Sequence, residues 1–384
     1  MFEFMKECVI HYAGIPLKAI HYFCKNDGNN KNRISTFEVR ILVNSHYYAY
    51  GFDTNLFQQT IEDEWIIDLG KNKVLYQRSK SLLKLDLSAQ DKNRMNIYMN
   101  DFSDNNKTLF LSEMNHNKKI EVGSELICFK EIFDWFKNDL NVIYPDMPVT
   151  NFEYYYDENS LENVKKLIQT FDTGIQDIKI RRIEKEELQS KIGRTMYMDV
   201  INKLQNKIKE DTNHNIRLSM RSKKEFFNID MNKDFELKIT TLSFSHGNSP
   251  FDFDFDEESD GTRRVFDLLD ILLNKNQKSV YVIDEMERSL HPNLFTHFLE
   301  LLNEHQKTSD VQLIFTTHEA SIMNQKLFRR DQIWFVNRDQ NNNSSLYSLD
   351  QFNERFDKKI NKAYLEGRYG AVPIFKDFDL NTIE

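Results

Sequence analysis

Apolar and polar positions alternate along residues 36–43 and again along 46–52, and Asn44-Ser45 between them suits a tight turn. The same form returns at 62–68 and 73–77 across Gly70, so the two pairs together predict an antiparallel β lobe. The apolar period then lengthens to that of a helix over 126–140, 160–170 and 185–209, with acids and lysines mixed along each. These predict an inserted helical arm or cap over about 118–224, compact because the chain lacks the sustained heptads of a coiled coil. Further on, apolar runs at 280–283 and 311–315 flank a helix that begins with Pro292 in its first turn and carries Leu294, Phe298, Leu301 and Leu302 at helical spacing. Strand, helix, strand in that order predicts a parallel sheet. The expected organisation is therefore mixed α/β in two parts, 1–117 and 225–384, with the arm at 118–224 between them.

Chemistry concentrates in the last part. Val280-Tyr281-Val282-Ile283 is a β-branched apolar run that ends in Asp284 and Glu285, the way a buried strand delivers acid groups to a magnesium–nucleotide site. The competing reading is a buried strand that merely ends in acids. Upstream, Glu258-Ser259-Asp260-Gly261-Thr262-Arg263-Arg264 opens a helix running to Leu273. Ser259 can cap that helix, Gly261 permits close approach of a phosphate, and the helix terminus offers free amides and a favourable dipole. Downstream, the strand at 311–315 ends in Thr316-Thr317-His318. Arg263 or Arg264 is expected to contact nucleotide or a carboxylate, or one of them to pair with the acidic loop. Asp252, Asp254 and Asp256 alternate with Phe251, Phe253 and Phe255, but Glu257 and Arg263 stand where a calcium loop needs Gly and Glu. An edge strand with phenylalanines inward and aspartates outward explains the run more simply.

Composition narrows the class. The 384 residues are 40 % hydrophobic and 13 % aromatic, with 30 Phe and 16 Tyr, as a globular chain with a substantial core requires. Sixty acidic residues against 51 basic ones, a net charge of −9, argue against a surface built for nucleic acid. Local basic runs at 179–182 with Lys185, at 217–224 and at Arg329-Arg330 read as solvated faces or strand ends, which leaves nucleic-acid contact a secondary expectation. No apolar run is long enough to span a bilayer, and no signal peptide opens the chain. Cys8, Cys24 and Cys128 are widely spaced and read as buried thiols in a reducing cytoplasm.

Taken in order, the run at 258–264, Asp284-Glu285 with Ser289-Leu290-His291-Pro292 after it, Thr316-Thr317-His318, 331–335 and 364–373 resemble the AAA15-type group of ABC/RecF-like bacterial ATPases, relatives of SMC and overcoming-lysogenisation-defect heads. The resemblance is dense from about Phe251 to Phe375. It implies an ABC-type P-loop ATPase head that binds ATP with Mg²⁺ and works as a nucleotide-sandwich homodimer. It also implies roles. Asp284 would hold Mg²⁺ through water, Glu285 would polarise the attacking water and His318 would contact the γ-phosphate. Ser259, Gly261 and Thr262, as the signature motif, would close on the nucleotide of the second subunit. Relatives of this type occur in anti-phage or abortive-infection systems beside a separate toxin or nuclease, so such an effector is an implied partner. The nuclease of the overcoming-lysogenisation-defect type carries a TOPRIM domain after its head, whereas only residues 376–384 follow Phe375.

One departure stands against these matches. The chain contains no Gly-x-x-x-x-Gly-Lys-Ser/Thr, because Gly70-Lys71 is followed by Asn72 and Trp65 stands where the first glycine belongs. Residues 1–9 read as helix interior, with Met1, Phe2, Met5 and Val9 on one face and no cap before them. In the family such a helix follows the phosphate loop. The expectation is a chain that begins inside that helix, with the first strand and loop upstream, and that by itself binds ATP poorly. Retention of both Asp284 and Glu285 favours a clipped ATPase over a nucleotide-deficient scaffold or regulatory subunit.

Overall fold

Asn44 and Ser45 both take left-handed backbone angles, φ 48° and 68°, which is the turn that matches the twist of a two-residue hairpin. Around it the computed structural model describes residues 1–384 except 80–82, 101, 103–104, 122, 146, 148–154, 156–157, 211–214, 222–225, 274–277, 353–358 and 374–384. Strands Ser35–Val43, His46–Asn55, Thr60–Asp68, Lys73–Ser79 and Leu83–Leu85 form an antiparallel meander in sequence order. Its inner face, with Tyr50, Phe52, Ile66 and Tyr76 fully buried, packs against helices Phe2–Ile10, Phe110–Asn117 and Ile127–Asp134.

The parallel sheet has three strands, Gln312–Phe315, Val280–Ile283 and Leu140–Ile143, with Val280–Ile283 in the centre. Alternation along the strands sends Val142, Val280 and Val282 toward the N-terminal core. Ile143, Tyr281, Ile283 and Phe315 face a second core built on helices Asp260–Leu273 and Pro292–His305. The central strand packs against a core on each face, which is why it reads as a continuous apolar run, whereas Gln312 and Ile314 of the edge strand are exposed. Each fully buried Ile, Leu or Phe in the three strands contributes about 1.5–3 kcal/mol.

Residues 118–224 contain the expected helices, but they are not helical throughout. Helix Ile127–Asp134 ends in a wide turn, Trp135–Asp139, and Leu140–Ile143 becomes the third parallel strand. Pairing with Val280–Ile283 outweighs local helical preference there, because Leu140, Val142 and Ile143 are buried or half-buried by it. Ile175–Ile183 and Ile216–Arg221 are strands of a second antiparallel sheet, together with Phe226–Met231, Leu237–His246 and Phe253–Asp254. That sheet crosses the boundary expected at 224/225. The helix expected over 185–209 breaks at Gly193, φ 81°, into Lys185–Ile192 and Arg194–Glu210. Leu188, Val200, Leu204 and Ile208 rest on Phe227, Ile229, Met231 and Ile239 of the second sheet, so this region is compact.

The aspartate run forms a short edge strand, and the carboxylates pair with cations of the neighbouring elements. Lys179 meets Asp252 at 2.9 Å, Arg181 meets Asp254 at 2.9 Å, and Lys191 lies 3.5 Å from Asp254. Of the three phenylalanines only Phe255 is buried, whereas Phe251 and Phe253 are exposed. Arg217 likewise pairs with Asp230 and Arg329 with Asp331, and the basic run beyond Arg221 lies outside the described residues. At the far end, Gly367 and Gly370 take φ 77° and 69° and turn the chain back, so that Tyr364 and Tyr369 stack on Phe335 of the hairpin Trp334–Arg338/Ser344–Ser348.

Cys8 and Cys128 are buried, and burial pushes both thiols well above their ordinary range; Cys24 is exposed, contrary to the reading of three buried thiols. Because the thiolate is the reactive form, a thiol reagent at neutral pH is expected to label the native protein once, at Cys24, and all three cysteines in denaturant. Peptide mapping of the labelled chain checks this. Among the described residues no helix is long and apolar enough to cross a membrane.

Candidate functional site

The site forms where the three parallel strands end. Asp284 continues the central strand, its N–H donating to the Ile143 carbonyl at 3.0 Å. The chain then turns sharply, with Glu285 at φ 46°, a left-handed conformation that costs a non-glycine residue about 1 kcal/mol or more. Thr316, at the end of the neighbouring strand, offsets that cost with hydrogen bonds. Its hydroxyl donates to Asp284 Oδ1 and accepts the Glu285 N–H at 2.9 Å, while its carbonyl accepts the Met286 N–H at 3.1 Å. Fixing both acids through one hydroxyl leaves the second oxygen of Asp284 and the whole Glu285 carboxylate for other partners.

His318 joins this group. Its Nε2 lies 3.9 Å from Glu285 Oε1, an ion pair whenever the ring is protonated, and its side chain is 87 % exposed. A cavity of about 170 Å³ opens at the same strand ends, lined by Tyr144, Ile283, Asp284, Ile314 and Thr316, with Met1–Glu3 across from them. Residues 1–3, where helix Phe2–Ile10 lies against the strand ends, therefore form one wall of the cavity. No side chain caps that helix.

The element at 258–264 lies one step away. Ser259 caps helix Asp260–Leu273 as expected, its Oγ accepting the Thr262 N–H at 3.0 Å. Thr262 is buried with its hydroxyl against the same oxygen, at 2.9 Å. Gly261 comes so close to the loop after Glu285 that an added Cβ would lie 2.9 Å from the Ser289 carbonyl. Arg263 donates to the carbonyls of Asp256 and Glu258 and to Asp260, so it pairs with the acidic loop. Arg264 is buried against the Met286 carbonyl. Asp284, Glu285 and His318 are thus gathered directly, whereas Ser259, Gly261 and Thr262 reach them through the loop 286–289. A Gly261→Ala variant is expected to separate helix and loop by a few tenths of an ångström and cost about 1–3 kcal/mol by overpacking, read as a lower urea midpoint with an unchanged m-value.

The linking role of Thr316 is not evident in the sequence, nor is that of Glu287, whose Oε1 accepts the His318 N–H at 2.8 Å. The signal available was a threonine at the end of a strand predicted to lie beside the acid strand. Pro292 begins its helix, and His291 is its cap, Nδ1 accepting the Asn293 N–H at 3.2 Å, so the Ser-Leu-His-Pro run has a structural use of its own.

Acids at the carboxyl end of a central parallel strand, with a polar residue on the next strand, place this site in a mixed α/β protein. A family model described as "AAA domain, putative AbiEii toxin, Type IV TA system" matches residues 24–324, a span that includes every residue of the site from Ser259 to His318, and the chain belongs to that family. No curated protein matches it.

The residues present fit a hydrated magnesium ion. Among the described residues no set of three or more His, Cys, Asp or Glu converges on one point. Mg²⁺ is ordinarily held by one or two carboxylates with water and phosphate oxygens. Asp284 supplies such a carboxylate, already oriented by Thr316.

Proposed function

We propose that this chain is an ATP-binding and ATP-hydrolysing subunit of the ABC type, acting as a nucleotide-sandwich homodimer in a bacterial abortive-infection system. The observation that carries the reading is the cluster of Asp284, Thr316, Glu285 and His318 at the ends of two adjacent parallel strands. Bound Mg²⁺ would neutralise phosphate charge. Asp284 would hold that ion through water, and Glu285 would accept a proton from the attacking water. His318, whose side chain is exposed beside Glu285, would hydrogen-bond to the γ-phosphate. Ser259 and Gly261 would meet the nucleotide of the second subunit, whose closure excludes water from the site. The family description, a putative AbiEii toxin of a type IV toxin–antitoxin system, supports the defence setting; a separately encoded toxin or nuclease would be the driven partner.

A second reading is favoured by one fact: the 384 residues hold no Gly-x-x-x-x-Gly-Lys-Ser/Thr to cradle the phosphates. On that reading the chain is a nucleotide-deficient scaffold or regulatory subunit. The test compares Mg-ATP binding and turnover by this chain and by the chain extended in frame with any such loop encoded upstream. Turnover by the extended form alone supports the ATPase. If no such loop is encoded, and the chain folds and binds a partner without nucleotide, the scaffold reading takes its place.

A further inference from the structure

Two charged groups beside the acid pair have no part in the chemistry above, the carboxylate of Glu287 and the guanidinium of Arg264. Glu287 Oε1 accepts the backbone N–H of His318 at 2.8 Å, and Oε2 is buried without a hydrogen-bond partner among the described residues. A carboxylate acceptor makes this a charge-assisted bond, about twice as strong as one between neutral groups. It fixes the backbone of a residue whose own side chain is too exposed to be held by packing. Arg264 approaches the same loop from the other side. It is 6 % exposed, and its Nε and Nη2 each lie 3.4 Å from the Met286 carbonyl. Burial disfavours its charge, and the fields of Asp267 and Glu287 oppose that, while those of Arg288 and Arg221 add to it. The loop 284–289 is thereby bonded to the strand end at Thr316 and His318 on one side, and to the first turns of helix Asp260–Leu273 on the other.

We propose that Glu287 is a positioning residue for His318, and that Arg264 ties the Glu287 loop to helix Asp260–Leu273, so that the place of the histidine follows the place of that helix. The catalytic meaning of this rests on the ATPase reading. The contacts themselves do not. A displacement of the helix start moves the Met286 carbonyl with Arg264, and the adjacent Glu287 carries the His318 amide with it. In a working subunit the histidine would then reach the γ-phosphate only when the helix start is seated, which makes His318 report on what Ser259 and Gly261 touch.

The test is amide hydrogen exchange on the full chain without nucleotide, resolved to single residues, for Glu287→Ala, Glu287→Gln, Glu287→Asp, Arg264→Met and Arg264→Lys. Glu287→Ala is expected to speed exchange at the His318 amide by about tenfold or more, with the rest of the parallel sheet unchanged. Gln keeps an acceptor oxygen at the same reach and is expected to restore most of the protection, whereas Asp is too short and is not. Arg264→Met is expected to speed exchange across 284–291 and at His318, and Lys to restore part of it. Wild-type protection of His318 in Glu287→Ala overturns the proposal. So does an equal rise throughout the sheet that Gln fails to rescue, which would mark a merely structural role. If the Ala variant does not fold, the Gln and Asp pair decides by the same criterion. A chain with this exchange pattern that never turns over ATP in any form would fail the ATPase reading and keep this one.

Discussion

Replacing Glu64 with Ala is expected to destabilise the protein by about 3–5 kcal/mol, the cost of breaking a buried ion pair from one side. Glu64 lies in strand Thr60–Asp68 with its side chain fully buried. Its two oxygens accept the N–H groups of Phe110 and Leu111 at 2.8 and 3.0 Å, the hydroxyls of Tyr50 and Tyr76 at 3.2 and 3.4 Å, and Arg78 Nη2 at 3.3 Å. Helix Phe110–Asn117 has no cap of its own, since Leu109 stands at the cap position, so a carboxylate from the sheet supplies it. Burial, with the charge of Glu64 adding to it, pushes both phenols well above their ordinary range, and they stay neutral donors. Removing the carboxylate strands two amides and two hydroxyls at once and leaves the Arg78 guanidinium hydrogen-bonded only to the carbonyls of Asn105 and Thr108. Against a total stability of about 5–15 kcal/mol, that is enough to leave the variant partly unfolded at room temperature. Urea unfolding followed by tryptophan fluorescence measures it. Glu64→Gln, which keeps one good acceptor, is expected to fall between the two; a midpoint for Glu64→Ala equal to wild type would remove this contact from the account of the core.

The second large effect belongs to Glu285. In a nucleotide-competent form, Glu285→Gln is expected to lower ATP turnover by about a hundred- to ten-thousand-fold, the usual worth of a general base, and to leave ATP binding intact. Gln preserves the shape of the side chain and the backbone bond to Thr316 at 2.9 Å. It cannot take a proton from water. On the dimer reading, the variant accumulates as an ATP-bound pair of subunits, visible as a doubling of mass by light scattering when Mg-ATP is added and absent when the ion is chelated. Turnover equal to wild type would take Glu285 out of that role. Asp284→Asn separates the two acids, because it is expected to raise the Mg²⁺ concentration needed for binding while a proton acceptor remains at Glu285.

Much of this molecule is legible in one dimension, for physical reasons that differ by element. The hairpin at Asn44-Ser45 is local, since two residues that tolerate positive φ between two alternating runs determine both turn and register. The Val280–Ile283 strand is likewise local, because a strand buried on both faces must be apolar throughout and must expose its chemistry where it ends. Ser259 and Pro292 announce their helices by the same kind of short-range chemistry, and the structure has both where capping rules put them.

What stayed hidden depends on partners far along the chain. Leu140 reads as the end of a helix and instead opens the strand Leu140–Ile143, because its partner lies at 280–283. Ile175–Ile183 looked like part of a charged arm and is a strand on Leu237–His246. Glu64 sits in an alternating run where an acid reads as solvent-facing, and only the arrival of the helix beginning at Phe110 makes it a buried cap. Thr316, Glu287 and Arg264 are ordinary polar residues until three separate segments converge on the loop after Asp284. The sequence by itself therefore determined the first hairpin, the central acid-ended strand and the capped helices, all of which follow from neighbours within a few residues. Which strand lies beside which, and which polar groups orient the acids, was decided by tertiary structure alone, since a hydrogen bond between positions 31 residues apart leaves no periodic trace in the chain.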